Sequence, residues 1–262
     1  MSNFTTPEWI GISLVILIMG MSKGGLPIAG VALPLLVLIW PEQGQAARSA
    51  VSFMLPLLCA MDLVGIILYR GKPDWSHVKM LLPATLAGIL VASLFFVSDR
   101  GISVSDQMLK LTIGSLGLFF TGWHFWGRRF FLHGRIEVAN TVGRARFYGF
   151  FGGLTSTIAH AAGPVMQMYF LRTGLAKTQF AATTIYFFVF LNAIKLIPFA
   201  LLGRLSREQL IVDLKMLPLI PVGVLLGYFI VRIINKKHYT IVIYTTLSLT
   251  STMLVYRALS GS

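Results

Sequence analysis

The feature that most constrains this chain is the length of its apolar runs. Six stretches, near residues 46–69, 77–97, 107–126, 178–202, 209–233 and 239–256, each approach the roughly 20 apolar residues that a helix needs to cross hydrocarbon. In a bilayer no water satisfies backbone N–H and C=O groups, so such runs fold as helices. Composition agrees: of 262 residues 56% are hydrophobic and only 12% charged, where a soluble domain carries roughly a quarter charged residues. The net charge of +13 could suggest nucleic acid, but the basic residues fill short gaps between apolar runs rather than one stripe or arm. They read as topology signals and lipid headgroup contacts. The single cysteine, Cys59, lies inside an apolar run and has no intrachain partner, so it reads as a small buried hydrophobe. The run from Trp9 follows an N-terminus without lysine or arginine, which predicts a retained membrane element rather than a cleaved signal.

Two further apolar segments are interrupted. Residues 8–40 are too long for one span and contain Ser22-Lys23-Gly24-Gly25 and Pro27; residues 147–172 contain Gly152-Gly153, Thr155-Ser156-Thr157, His160 and Gly163-Pro164. Both read as broken or re-entrant helices. Between them, residues 127–146 hold Arg128, Arg129, Arg135, Arg144 and Arg146 against one acid, Glu137. That excess predicts a cytoplasmic linker. The division is therefore a first transmembrane repeat over 1–127, a basic linker over 128–146 and a second repeat over 147–262.

The halves can be laid on one another. Lys23-Gly24-Gly25-Leu26 falls on Phe151-Gly152-Gly153-Leu154, Pro34 on Pro164, Cys59-Ala60-Met61-Asp62-Leu63 on Asn192-Ala193-Ile194-Lys195-Leu196, and Leu82-Pro83 with Gly88 on Leu217-Pro218 with Gly223. The fold class expected is an all-α polytopic integral membrane protein of two pseudo-symmetric repeats, each of four to five transmembrane elements with a broken or re-entrant first helix. Single crossings by the interrupted segments would make the copies parallel; two-legged hairpins would make them inverted. Charge leaves this open, because Arg172, Lys177, Arg232, Lys236 and Lys237 oppose Arg204, Arg207, Lys215 and Arg257.

Broken helices expose backbone amides at depth, and a half-helix N-terminus carries partial positive charge suited to an anion. The candidate substrate residues are Gly24, Gly25 and Lys23 at the first break, and Gly152, Gly153, Thr155, Ser156, His160 and Gln167 at the second. The glycines equally fit close helix packing. Asp62 and Lys195 hold equivalent places inside apolar spans, where an ionisable group points to function. They could pair with each other, or Lys195 could take an anionic substrate while Asp62, the one deep acid, serves a coupling proton or cation; snorkelling is the bland alternative. Asn192, a turn before Lys195, joins the substrate group. Trp123 and Trp126 around His124 read as interfacial anchors. Histidines are scattered, no metal-ligand motif or phosphate loop occurs, and neither enzyme nor cofactor is expected.

At Lys23-Gly24-Gly25-Leu26, the later Pro34, and the recurrence Gly152-Gly153-Leu154 with Gly163-Pro164, the chain resembles the sulfite exporter TauE/SafE family of membrane permeases over nearly its whole length. It differs from the usual pattern in carrying Thr-Ser-Thr and His160 where members more often show further glycines. The resemblance implies a bacterial inner-membrane, multi-pass transporter of a small anion such as sulfite, sulfoacetate or another organosulfur compound, with proton coupling, and leaves export or uptake open. The expected function is thus a secondary transporter acting by alternating access, set against a passive anion channel or a non-transporting membrane assembly factor. The partners expected are a small anionic solute and membrane lipids, not nucleic acid, with homodimerisation open.

Overall fold

The computed structural model describes residues 4–26, 28–68, 71, 73–94, 105–127, 142–170, 173–233 and 236–260, and these are almost wholly helical. The first half contains α1 (Thr6–Lys23), α2 (Ala29–Ile39), α3 (Ala46–Leu68), α4 (Trp75–Ser93) and α5 (Asp106–Gly122), which runs on into a π-turn at Trp123–Gly127. The second contains α6 (Val142–Ala159), α7 (Ala162–Phe170), α8 (Lys177–Leu201), α9 (Arg207–Met216), α10 (Leu219–Ile233) and α11 (Lys236–Ser260). Several starts are fixed by side-chain caps, Asp74 accepting from the Ser76 N–H, Ser105 from Met108 and Ser206 from Gln209. Each satisfies an amide that a helix end leaves without an internal partner.

Among the described residues α3, α4 and residues Ala182–Leu201 of α8 are long and apolar enough to cross a membrane as they stand. Arg207–Met216 and Leu219–Ile230 would supply a fourth span across a 48° bend. This is fewer than the six uninterrupted spans expected. α5 has only 17 residues, and the run over 209–233 bends at Leu217-Pro218, where proline lacks an N–H and its ring clashes with the preceding turn.

Both interrupted segments fold back on themselves. Phe4, ahead of α1, meets Trp40, just after α2, with ring centroids 5.9 Å apart; Tyr148 on α6 and Tyr169 on α7 lie 5.8 Å apart. The breaks are narrower than the sequence suggests. α6 passes without interruption through Gly152-Gly153 and Thr155-Ser156-Thr157, and turns only at His160, which has φ 48°. The first turn uses Gly25, at φ 112°. Small residues elsewhere in these helices serve packing, not breakage.

Glycines also set the helix pairs. A Cβ on Gly153 would meet the Thr85 carbonyl oxygen at 2.2 Å, and one on Gly149 the Leu81 oxygen at 2.5 Å, so α6 lies backbone to backbone and parallel with α4. A Cβ on Gly24 would meet the Val224 oxygen at 2.2 Å, and one on Gly20 the Gly223 Cα at 3.0 Å, which lays α1 parallel to α10 in the same way. Gly114 and Gly117 admit Val255 and Ser251, making α5 and α11 antiparallel. The core between these pairs is apolar, with Trp40, Phe53, Phe170, Phe187 and Phe199 almost fully buried.

Candidate functional site

Deep polar side chains collect where α3 and α8 pass the two turns. α8 carries Phe188, Asn192 and Lys195 at spacings of four and three, which place them on one face of a helix. Lys23, the last residue of α1, sends its ammonium to Asp62 Oδ1 on α3 at 2.6 Å and lies 4.5 Å from the centre of the Phe188 ring. Asn192 donates from Nδ2 to the other Asp62 oxygen at 2.5 Å. Both carboxylate oxygens are thereby held, one by a charge and one by an amide.

Lys195 is fully buried, and it turns the other way, to α6. Its ammonium donates to Ser156 Oγ at 2.9 Å, to the Ser156 carbonyl at 3.1 Å and to His160 Nδ1 at 3.1 Å. The Nε2 of His160 lies 2.9 Å from the Val51 carbonyl oxygen on α3. That oxygen can only accept, so Nε2 carries the hydrogen and Nδ1 is left to accept from Lys195. Lys195 and His160 thus pin the turn between α6 and α7 to α3 and α8. Asp62 and Lys195 form no pair with each other; Lys23 has taken the carboxylate.

The other expected residues are placed differently. The hydroxyls of Thr155 and Thr157 donate to Phe151 and Gly153 carbonyls one turn back, leaving Ser156 as the hydroxyl that reaches another helix. A Cβ on Gly152 would meet the Met166 methyl at 2.6 Å, and Gly24 and Gly153 are in the backbone contacts already described. Gln167 lies on α7, but its side chain, like that of His124, falls outside the described residues, as does the linker over 128–141.

A small apolar cavity lies beside both turns. Gly30 and Pro34 of α2 border it on one side, Ala161 and Pro164 at the start of α7 on another, and Ile113 and Leu247 complete it. Gly30 and Ala161 place the N-terminal ends of α2 and α7 at this cavity, and a helix leaves its initial N–H groups without internal partners. No group of three or more metal-ligating side chains occurs among the described residues.

The family described as sulfite exporter TauE/SafE matches residues 12–254. The chain belongs to the sulfite exporter TauE/SafE family. It is accordingly a multi-pass membrane protein, and members of the family are membrane transporters. No curated protein and no solved structure matches the chain. The TauE/SafE match runs from within α1 to within α11, so it takes in both turns and every residue of the polar centre.

Sequence reasoning missed two buried features of this TauE/SafE chain. His77 Nδ1 lies 2.8 Å from the Tyr169 hydroxyl, tying α4 to α7. Asp213 is 4% exposed, so Asp62 is not the only deep acid. The same reasoning that flagged Asp62, an ionisable residue inside an apolar span, applied equally to Asp213. Its place near a predicted helix start hid it.

Proposed function

We propose that this chain is a secondary transporter of a small oxyanion or organosulfonate, such as sulfite or sulfoacetate, working by alternating access between two inverted halves. The observation that carries the reading is Lys195: an ammonium with no solvent exposure whose hydrogen-bond partners, Ser156 and His160, are all neutral. A buried charge without a counter-charge is costly. Lys23 and Asp62 cancel, so the centre holds one surplus positive charge, and an anionic substrate supplies its partner. The substrate would lie between the turns, among the first amides of α2 and α7, with Lys195 and His160 at the back of the α6–α7 turn. Gly25, Gly152 and Gln167 border the same region in sequence and remain part of the proposed site.

Inversion of the halves is supported by how the helices cross. Gly153 faces Thr85 and Ile89, whereas Gly24 faces Val224 and Tyr228. Position 85 relates to 224 as 89 does to 228, by a constant 139 residues, so, with the bent α9–α10 pair counted as one, each half gives its first helix to the other half's fourth element in the same register. Followed along the chain, the α1–α2 hairpin enters from one face and the α6–α7 hairpin from the other. Each half then consists of a hairpin and three further elements. The linker itself carries Arg128, Arg129, Arg135, Arg144 and Arg146 against one acid, Glu137. The linker face is therefore cytoplasmic, and a bacterial inner membrane is the setting we assign.

The test is radiolabelled sulfite or sulfoacetate flux in proteoliposomes. Lys195→Met keeps the side-chain length and removes the charge. Flux should fall about tenfold or more, the scale of a lost charged hydrogen bond of about 1.5–3 kcal/mol. Wild-type flux in that variant would remove the proposed site.

A further inference from the structure

Among the described residues, Asp213 is a buried acid that the site leaves unused. It lies on α9, is 4% exposed, and neither carboxylate oxygen makes a hydrogen bond. Gln209, one turn earlier and 3% exposed, has an amide nitrogen equally without a partner. Both side chains are thus buried and open toward the α1 and α3 side of α9, where Ser13 Oγ reaches Met216 Sδ at 3.8 Å. The charges carried by those two helices are Glu8, Lys23, Arg48 and Asp62, and among the described residues none of them forms an ion pair with Asp213. Lys215, two positions on, stands over the Trp9 ring at 5.6 Å instead. An ionised carboxylate with no counter-charge and nothing better than the Gln209 amide beside it is among the costliest groups to bury. Some positive partner completes the site.

A single carboxylate does not suit a multivalent metal, which takes six or more oxygens if calcium and near-octahedral oxygens if magnesium. A proton needs only one oxygen. The position also connects to the transport machinery. α9 passes through the 48° bend into α10, and Gly223 and Gly227 of α10 rest on the α1 backbone at Gly20 and Met21. Lys23 stands at the end of that same α1, so a shift of α9 is transmitted to the first hairpin through contacts that have no side chains to absorb it. Asp62 is less suited to exchanging a proton, because Lys23 and Asn192 hold both of its oxygens.

We propose that Asp213, assisted by Gln209, is a proton-binding site whose occupancy is coupled to movement of the α1–α2 hairpin through α10. The inference rests on the transport reading above. In each cycle the carboxylate would take a proton from one aqueous face and release the same proton to the other, with no covalent bond to substrate formed or broken.

The experiment compares two modes of sulfite movement in proteoliposomes: accumulation driven by a pH gradient, and exchange of labelled for unlabelled sulfite with no gradient. Asp213→Asn mimics the protonated acid in shape. It should lower gradient-driven accumulation by about tenfold or more, within the range of ordinary coupling energies, while exchange stays within about twofold of wild type. Asp213→Glu should restore driven accumulation. Driven accumulation at the wild-type level in Asp213→Asn would overturn the proposal, and so would equal loss of both modes, which marks a structural residue. Absence of any sulfite or sulfoacetate flux in the wild type sinks the transport reading itself, a result distinguishable from either.

Discussion

At the scale of the residue, the centre is held together by unequal bonds. Lys23 and Asp62 form an ion pair at 2.6 Å in which the aspartate is 3% exposed and the lysine side chain 16%. Removing one member of a buried pair leaves the other charge without compensation, which costs about 3–5 kcal/mol. Asp62→Ala should therefore lower the stability of the detergent-solubilised protein by about 3 kcal/mol or more, read from a thermal or denaturant melt. Asp62→Ala with Lys23→Met should recover a large part of that loss, because the apolar methionine no longer leaves a charge stranded. Additive losses in the double variant would mean that the pair does not act as a unit. His160 is constrained in a second way. Its backbone sits at φ 48°, a region that histidine, asparagine and aspartate enter more readily than other non-glycine residues, and its ring bridges Lys195 to Val51. One residue thus makes the turn and fastens it.

At the scale of the element, glycine separates two roles that sequence alone leaves together. Gly152-Gly153 reads as a helix break because glycine weakens helices; in the fold α6 continues through it, and Gly153 lets two backbones touch. The real break, at His160, has no glycine. Helix existence was legible because apolar length and hydrocarbon physics leave one solution. Helix partners were not, because identical small-residue spacing serves a break, a contact or an anion site until the neighbouring helix is known. The ion pair shows the same limit. Asp62 and Lys195 were visible as deep charges, but Lys23 sat in a segment read as a break, so its reach to Asp62 could not be inferred from spacing. A direct test contrasts two glycines of the same helix. Gly153→Ala would place a methyl 2.2 Å from the Thr85 carbonyl oxygen, while nothing lies within 4 Å of the equivalent position at Gly143. Gly153→Ala should destabilise the protein by about 1–3 kcal/mol through overpacking against backbone. Gly143→Ala should be neutral or stabilising by up to about 1 kcal/mol. Equal melting temperatures for the two variants would show that α4 and α6 do not meet as described.

At the scale of the whole molecule, the inverted arrangement proposed above would account for the topology that charge counting left balanced. Lys177, Arg232, Lys236 and Lys237 flank helix ends on the linker side, whereas Arg204, Arg207, Lys215 and Arg257 belong to the far side. In that arrangement the balance follows from an uneven number of crossings in the second half, since its loops alternate between faces while Lys79 of the first half lies on the linker side. Two positions read the outcome without disturbing the centre. Gly174 lies in the loop between α7 and α8, has φ 70° and is exposed; Arg207 opens α9 on the opposite side. With Cys59, the single native thiol, replaced by serine, Gly174→Cys should be labelled by an impermeant maleimide only from the cytoplasmic face, and Arg207→Cys only from the outside. Labelling of both from one face requires an even number of crossings between α7 and α9, and inverted halves allow only one. Gly174 labelled from the cytoplasm with Arg207 labelled from outside leaves the two hairpins entering from opposite sides of the membrane, the geometry in which a central site opens alternately to each, whereas the reverse pair of faces would make the halves parallel.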